Sequence, residues 1–228
     1  MGFFRHHVAT PDRIAINLRV LAPGQVAPFL REVRAEFPTQ RVSLFMPAGL
    51  NEALAPVLAE TGCESLGAQV HLAYVRGPPA SSNLPGGLRL ESVTAQNLHD
   101  YVIAERQGFA DSDSAPAPEA ILTYVNILLA EMAGEGRFLL ARIDGETAAT
   151  LGWYDGVSDR FVFMLATRAP FRRRGIARTL LVHTTREALA IGKDAVIING
   201  AADGFPVAFY RRFGFSDEVC RHFGYLVA

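Results

Sequence analysis

Arg160-Phe-Val-Phe-Met-Leu-Ala-Thr167, followed closely by Pro170-Phe-Arg-Arg-Arg-Gly-Ile-Ala177, is the stretch on which the reading of this chain turns. The first segment is an apolar run long enough for a buried strand. The second is a basic turn holding a glycine, and a helix follows it without a gap. Ile176, Leu180, Leu181, Thr184, Ala188 and Ile191 recur at helical spacing until Gly192 stops them. Ala195-Val-Ile-Ile198 predicts a second buried strand, and residues 206–213 a second helix closed by Gly214-Phe215.

A glycine at the mouth of a helix lets the backbone approach a ligand closely. The first helical turn leaves amide donors unpaired, and its dipole is positive there. Together these make a cradle for a phosphate or pyrophosphate, and three adjacent arginines add attraction for a polyanion. Neither G-x-x-x-x-G-K-[ST] nor G-x-G-x-x-G is present, so this is not one of the common nucleotide loops.

The order of strand, Arg172-x-x-Gly175-x-Ala177, amphipathic helix, strand and Ala208-Phe-Tyr-Arg-Arg-Phe-Gly-Phe215 resembles the GNAT superfamily of acyl-coenzyme A-dependent N-acetyltransferases. The resemblance covers roughly residues 87–228 and rests on the loop and the Tyr-x-x-x-Gly-Phe segment together. It implies an α/β fold with a central mixed, mostly antiparallel sheet flanked by helices. It also implies acetyl-CoA as cosubstrate, with no metal. The backbone of Arg172, Arg173, Arg174, Gly175, Ile176 and Ala177 would hold the pyrophosphate. Main-chain groups of Leu165, Ala166 and Thr167 would hold the pantetheine arm. Tyr210 would be the general acid for the departing thiolate, since a phenol with a reference pKa of about 10 can donate to a thiolate of comparable basicity. Asp203 stands where the family usually has an asparagine, and its contact to the cofactor is the point of departure from the pattern.

Upstream, residues 77–87 (Gly-Pro-Pro-Ala-Ser-Ser-Asn-Leu-Pro-Gly-Gly) read as a linker between a segment of residues 1–76 and a domain of residues 88–228. The first segment shadows the deciding stretch. Residues 12–23 lie on 159–170 at an offset of 147, and residues 42–63 on 194–215 at an offset of 152. The residues left without a counterpart are Phe171-Arg-Arg-Arg-Gly175, and Leu58 falls opposite Tyr210. Residues 1–76 are therefore expected to be a smaller, degenerate half-domain of the same α/β type that lacks the cradle.

The local pattern predicts a helix capped by Asn51, and Thr94 as the cap of a helix over residues 95–107. It also predicts a second helix over residues 119–132 and a hairpin turning at Asp144-Gly145. A net charge of −1 with 20% charged residues argues against a general nucleic-acid binder. Cys63 and Cys220 are far apart and show no metal-ligand spacing, so both read as buried small hydrophobes. His99, His183 and His222 read as surface or packing histidines. The N-terminus has no apolar signal core and no apolar run approaches the roughly 20 residues of a membrane helix, which makes a cytoplasmic protein the default.

Acyl transfer to an amine also needs a base, and residues 161–167 carry no carboxylate. Asp155, Glu105, the Asp111/Asp113 loop and a water chain are the alternatives, with Trp153 and Tyr154 as possible lining of an acceptor pocket. The acceptor is a small-molecule or peptide amine, and a homodimer is the family-level expectation. The competing reading is a catalytically silent acyl-CoA-binding sensor or scaffold, in which the base is simply missing.

Overall fold

The computed structural model describes residues 4–5, 13–80, 86–110 and 113–227; Asp111 and the middle of the expected linker lie outside these. In chain order the first elements are β1 (Phe4–Arg5), β2 (Arg13–Asn17), α1 (Val26–Glu36), β3 (Arg41–Pro47), α2 (Ala48–Glu60) and β4 (Glu64–Tyr74). They are followed by β5 (Leu88–Ser92), α3 (Leu98–Ala110), α4 (Pro118–Ala133), β6 (Arg137–Ile143), β7 (Glu146–Asp155) and β8 (Asp159–Thr167). The chain ends with α5 (Ile176–Ala190), β9 (Ala195–Ala201), α6 (Phe205–Phe213) and β10 (Asp217–Val227).

Packing divides the chain into two units. One comprises Met1–Leu72, Asn199–Tyr210 and Glu218–Ala228, and the other Ala73–Ile198 and Arg211–Asp217. In the first, β2 runs parallel to β3, and β10 pairs antiparallel with β3 and neighbours β4. Its core joins Leu30 of α1, Leu44 of β3, Leu54 and Leu58 of α2, and Tyr225 of β10. Asn51 does not cap α2, which starts at Ala48 after Pro47. From inside the helix its Oδ1 instead accepts a 2.7 Å hydrogen bond from the Tyr225 hydroxyl, a partner far away in sequence.

The order β2-α1-β3-α2-β4 repeats as β8-α5-β9-α6-β10, each opening on a parallel strand pair. The registers differ. Arg13 pairs with Arg41, so the sequence offsets would put Arg160 against Lys193, yet it pairs with Val196.

In the second unit β5, β6, β7 and β8 form an antiparallel meander, and β9 joins β8 in parallel. The β6–β7 turn is tight because Asp144 and Gly145 take φ of 51° and 88°, the left-handed pair that suits a two-residue hairpin. α3 begins at Leu98 rather than beside Thr94, because Asn97 ties the entry loop down. Its Oδ1 accepts the Thr94 amide at 2.7 Å and its Nδ2 donates to the Ser92 carbonyl at 3.1 Å.

Both α3 and α5 pack on β7 and β8. Alternation along β8 sends Arg160 toward α5 and Phe163 into the cluster under α3 and α4, so the helices cover opposite faces. Arg160 is only 2% exposed. Its guanidinium donates to Asp155 at 2.7 and 3.0 Å, to Glu187 at 2.7 Å and to the Thr184 carbonyl at 3.2 Å, and it lies 4.9 Å over the Trp153 ring. This charge staples the β7–β8 hairpin to α5. Removing one partner of a buried pair leaves the others uncompensated, although Asp155 and Glu187 are partly solvated and can rehydrate. Arg160→Met is therefore expected to cost about 2–4 kcal/mol of stability in a urea melt, and a loss within experimental error would show that the staple is idle.

No described helix is long and apolar enough to cross a membrane.

Candidate functional site

The turn between β8 and α5 has the geometry of a backbone anion cradle. Arg173 and Gly175 take φ of 59° and 81°, so the chain folds back twice within three residues before the helix starts. Gly175 is the N-cap, in a left-handed conformation that an L side chain adopts only with strain. Among the described residues no side chain caps α5. Its first intrahelical bond runs from the Thr179 amide to the Gly175 carbonyl at 3.0 Å, which leaves the amides of Ile176, Ala177 and Arg178 at the open end. A Cβ on Gly175 would meet nothing within 4 Å among the described residues, so the glycine is required by backbone conformation rather than by crowding.

The three arginines are exposed but not equivalent. Arg172 turns inward and donates to the Thr167 carbonyl at 3.0 Å and the Gly108 carbonyl at 2.9 Å. It thereby binds the turn to the end of β8 and to α3. The Arg174 guanidinium lies 5.7 Å over the Phe171 ring.

β8 carries an extra residue just before this turn. Gly152 pairs with Phe163 and Thr150 with Ala166, and within the bulge Met164 takes a φ of 52°. The ladder with β9 ends at Val162↔Ile198, so β8 runs on through residues 163–167, which include Leu165, Ala166 and Thr167. α3 approaches this extension very closely. A Cβ on Gly108 would come within 2.8 Å of the Ala166 Cβ and 3.2 Å of the Thr167 nitrogen.

The face under α3 and α4 holds a group of polar and aromatic side chains. Glu105 is only 3% exposed. Its Oε1 accepts a 3.3 Å hydrogen bond from the Tyr124 hydroxyl, and its Oε2 is buried without a donor among the described residues. The Tyr124 hydroxyl is also 3.7 Å from the Met164 sulfur, and the Tyr101 hydroxyl 3.9 Å from it. The carboxyl is thus one phenol and one thioether away from the bulge that precedes Leu165. The Arg106 guanidinium stands 4.4 Å over the Tyr124 ring. Tyr154 stacks on Phe163 at 4.5 Å, and its hydroxyl donates to Glu131.

Burial raises the Glu105 carboxyl to about 7, against a smaller pull downward from Arg106 and from the Tyr124 hydroxyl. Burial likewise pushes the Tyr101, Tyr124 and Tyr154 phenols up, so all three stay protonated at neutral pH.

Among the other base alternatives, Asp155 is committed to Arg160; burial pushes its carboxyl up, but the guanidinium holds it below the usual range. Asp113 is paired with Arg168 at 3.1 and 3.2 Å. Asp111 lies outside the described residues. Trp153, on the opposite face of β7 from Tyr154, is buried beneath Arg160 and lines no open surface.

The cradle residues and Leu165–Thr167 share one unit with Glu105, whereas Tyr210 and Asp203 belong to the other. Tyr210 is 6% exposed, and burial raises its phenol to about 12. Its ring edge lies 3.4 Å from where a Cβ on Gly200 would stand. Asp203 is exposed in the turn before α6.

Sequence reasoning missed Tyr101, Tyr124 and Met164 as neighbours of Glu105. The spacing of Tyr101 and Glu105, one helical turn apart, was the only local sign of that group.

Residues 134–217 match the acetyltransferase (GNAT) domain family. Among solved structures, a GCN5-related N-acetyltransferase from Kribbella flavida is similar at a TM-score of 0.60 and 20% identity, over 96% of this chain and 82% of that one. A GCN5-related N-acetyltransferase from Sphaerobacter thermophilus gives 0.71 at 16% identity, over 98% and 74%. A tandem GNAT protein from the clavulanic acid biosynthesis pathway gives 0.67 at 13% identity, over 94% and 74%. At such identities the likeness is one of fold: a mixed sheet flanked by helices, to which a tandem arrangement also conforms. No curated protein matches the sequence.

Proposed function

We propose, from the match of residues 134–217 to the GNAT acetyltransferase domain family, that the chain is an N-acyltransferase moving an acetyl group from acetyl-CoA to a primary amine. The observation that carries the proposal is the buried Glu105 carboxyl, one oxygen without a donor among the described residues, placed next to the bulge of β8 that leads into the cradle.

The residues fit the cosubstrate. The open amides of Ile176, Ala177 and Arg178 and the left-handed Gly175 suit a pyrophosphate, and exposed Arg173 and Arg174 add long-range attraction. The strand extension at Leu165–Thr167 offers main-chain groups for the amides of a pantetheine arm. Acetyl-CoA supplies the thioester carbonyl and the leaving thiolate.

Glu105 accepts a proton from the amine. An alkylammonium is unreactive until it loses one, and a carboxyl titrating near neutrality is matched to that task. The Tyr124 hydroxyl donates to the carboxyl and, with that of Tyr101, faces the Met164 sulfur, so the carboxyl is enclosed by phenols and a thioether rather than by water. Because Oε2 is buried without a donor among the described residues, an ammonium that reached it would gain a charge-assisted hydrogen bond in a low-dielectric site. This favours a cationic amine, either a small molecule or a peptide amine, as acceptor.

Tyr210 belongs to the other unit, and its part as general acid rests on the motif; burial raises its phenol to about 12, which makes it a weaker donor than the reference phenol. Asp203, exposed and replacing the usual asparagine, is assigned to the cofactor by sequence position alone. The repeated strand–helix order supports residues 1–76 as a degenerate half-domain preceding a full one over residues 88–228, while packing groups residues 199–210 and 218–228 with the first segment.

Thiol release from acetyl-CoA across a panel of amines tests the reaction. Acceptor-dependent release is expected; coenzyme A binding with no release for any amine would leave the silent sensor instead. Tyr210→Phe is expected to lower the rate about 10²-fold while coenzyme A affinity is retained. An unchanged rate would reduce Tyr210 to packing.

A further inference from the structure

Cys220 and His222 stand two residues apart on β10, so their side chains leave the same face of the strand. β4 neighbours β10 in the same unit, and it brings His71 to that face. One donor atom from each, the Cys220 sulfur and a ring nitrogen of each histidine, lie within 4.8 Å of one another. Cys220 Sγ is 3.9 Å from His222 Nδ1, and the imidazole centroids are 5.2 Å apart with planes tilted by 59°. Nitrogen and sulfur donors around a tetrahedral zinc ion stand about 3.3–3.6 Å from each other. The pair on β10 is therefore within a few tenths of an ångström of coordination, and rotamer adjustment of His71 closes the set. All three side chains are half-buried, so the donors are partly stripped of water and still reachable.

We propose that His71, Cys220 and His222 bind a borderline-soft divalent cation of the Zn²⁺ type. Two imidazoles and a thiolate would hold it, and solvent would fill the fourth tetrahedral position. The donor chemistry selects the class: nitrogen and sulfur suit zinc, whereas magnesium and calcium require oxygen ligands. Binding releases the thiol proton to solvent. Arg19 and Glu218 are the charged side chains that bear on the cluster, one repelling the cation and the other attracting it. The ion would clip β4 to β10 by their side chains and stabilise the unit containing them. None of this depends on the acyl-transfer reading.

The test uses the full chain, stripped with a chelator and titrated with Co²⁺ as a spectroscopic substitute for zinc under reducing conditions. Expected are one bound equivalent, thiolate-to-cobalt charge transfer in the near ultraviolet, the visible bands of a four-coordinate ion, and displacement by Zn²⁺. Zinc at a hundredfold excess over its Kd should raise Tm by on the order of 5 °C. Cys220→Ser should abolish the charge-transfer band, and His222→Ala should weaken Zn²⁺ binding about 100-fold or more. Circular dichroism checks that both variants are folded, and Cys220→Ser at a half-buried position is the milder of the two. His6 and His7 near the N-terminus can supply only imidazole, so binding without the thiolate band would overturn the proposal. A band that survives in Cys220→Ser would point to Cys63 and overturn it equally.

Discussion

Replacing Glu105 with glutamine is expected to cut the acceptor-dependent rate by about 10²–10⁴-fold while leaving coenzyme A affinity unchanged. The pH profile separates a proton acceptor from a packing residue. With the carboxyl titrating at about 7, activity of the parent should rise with pH through that value and level off above it. Glutamine has no such titration, so the residual rate of the variant should lack that limb.

Stability should move in the opposite sense. In the unfolded chain the carboxyl titrates near 4.5, and in the fold near 7, so between those values the folded form holds a proton that the unfolded form has lost. The stability tied to this group is fully present below pH 4.5 and is lost as pH rises through 7. The loss amounts to about 3 kcal/mol above neutrality. Glu105→Gln removes this loss, and the variant should be more stable than the parent at pH 8 and nearly equal to it at pH 4. A slower but stabler enzyme is the signature of a carboxylate buried for chemistry. If the rate and its pH dependence are both unaltered, the base lies elsewhere.

The second large effect is expected at Gly175. Its φ of 81° costs any L side chain about 1–2 kcal/mol, so Gly175→Ala should destabilise the turn and weaken coenzyme A binding by no more than that amount, to the extent that the free turn relaxes out of the cradle geometry. Gly175→Glu bears the same strain and adds a carboxylate to the open space where the pyrophosphate would lie. Binding should then be lost, at least about 10²-fold beyond the alanine variant. Among the described residues nothing stands within 4 Å of the added Cβ, so a clash of that atom with the protein cannot account for a difference between the two, and Gly175→Gln, of glutamate's size without its charge, separates bulk from repulsion. Calorimetry of coenzyme A against both variants reads it directly. Equal affinities in the glutamate variant and the parent would refute the cradle.

These two residues differ in how visible they were beforehand. Gly175 sits in a run of contiguous residues whose conformations are local: strand end, paired left-handed positions, helix start. Glu105 was one alternative among several carboxylates. Asp155 and Asp113 were excluded only when Arg160 and Arg168 were found beside them, and Arg160 reads in sequence merely as the polar start of an apolar strand. The expected caps failed at Asn51 and Thr94 for a related reason. Asn51 serves the hydroxyl of Tyr225, far away along the chain, and the entry to α3 is held through Ser92 on a strand. Cys220, expected to be a buried hydrophobe, is half-buried beside two histidines, one of them on another strand.

By itself, then, the sequence determined what neighbouring residues decide among themselves: the alternation of strands and helices, the left-handed Asp144-Gly145 turn, and an uncapped helix start behind a glycine. Tertiary structure alone decided which carboxyl loses its water and which is neutralised by a guanidinium. It also decided which sulfur and nitrogen donors converge. Desolvation and charge pairing depend on groups brought together from distant segments, and the free energy of a buried charge is set by everything around it in space rather than by its neighbours along the chain.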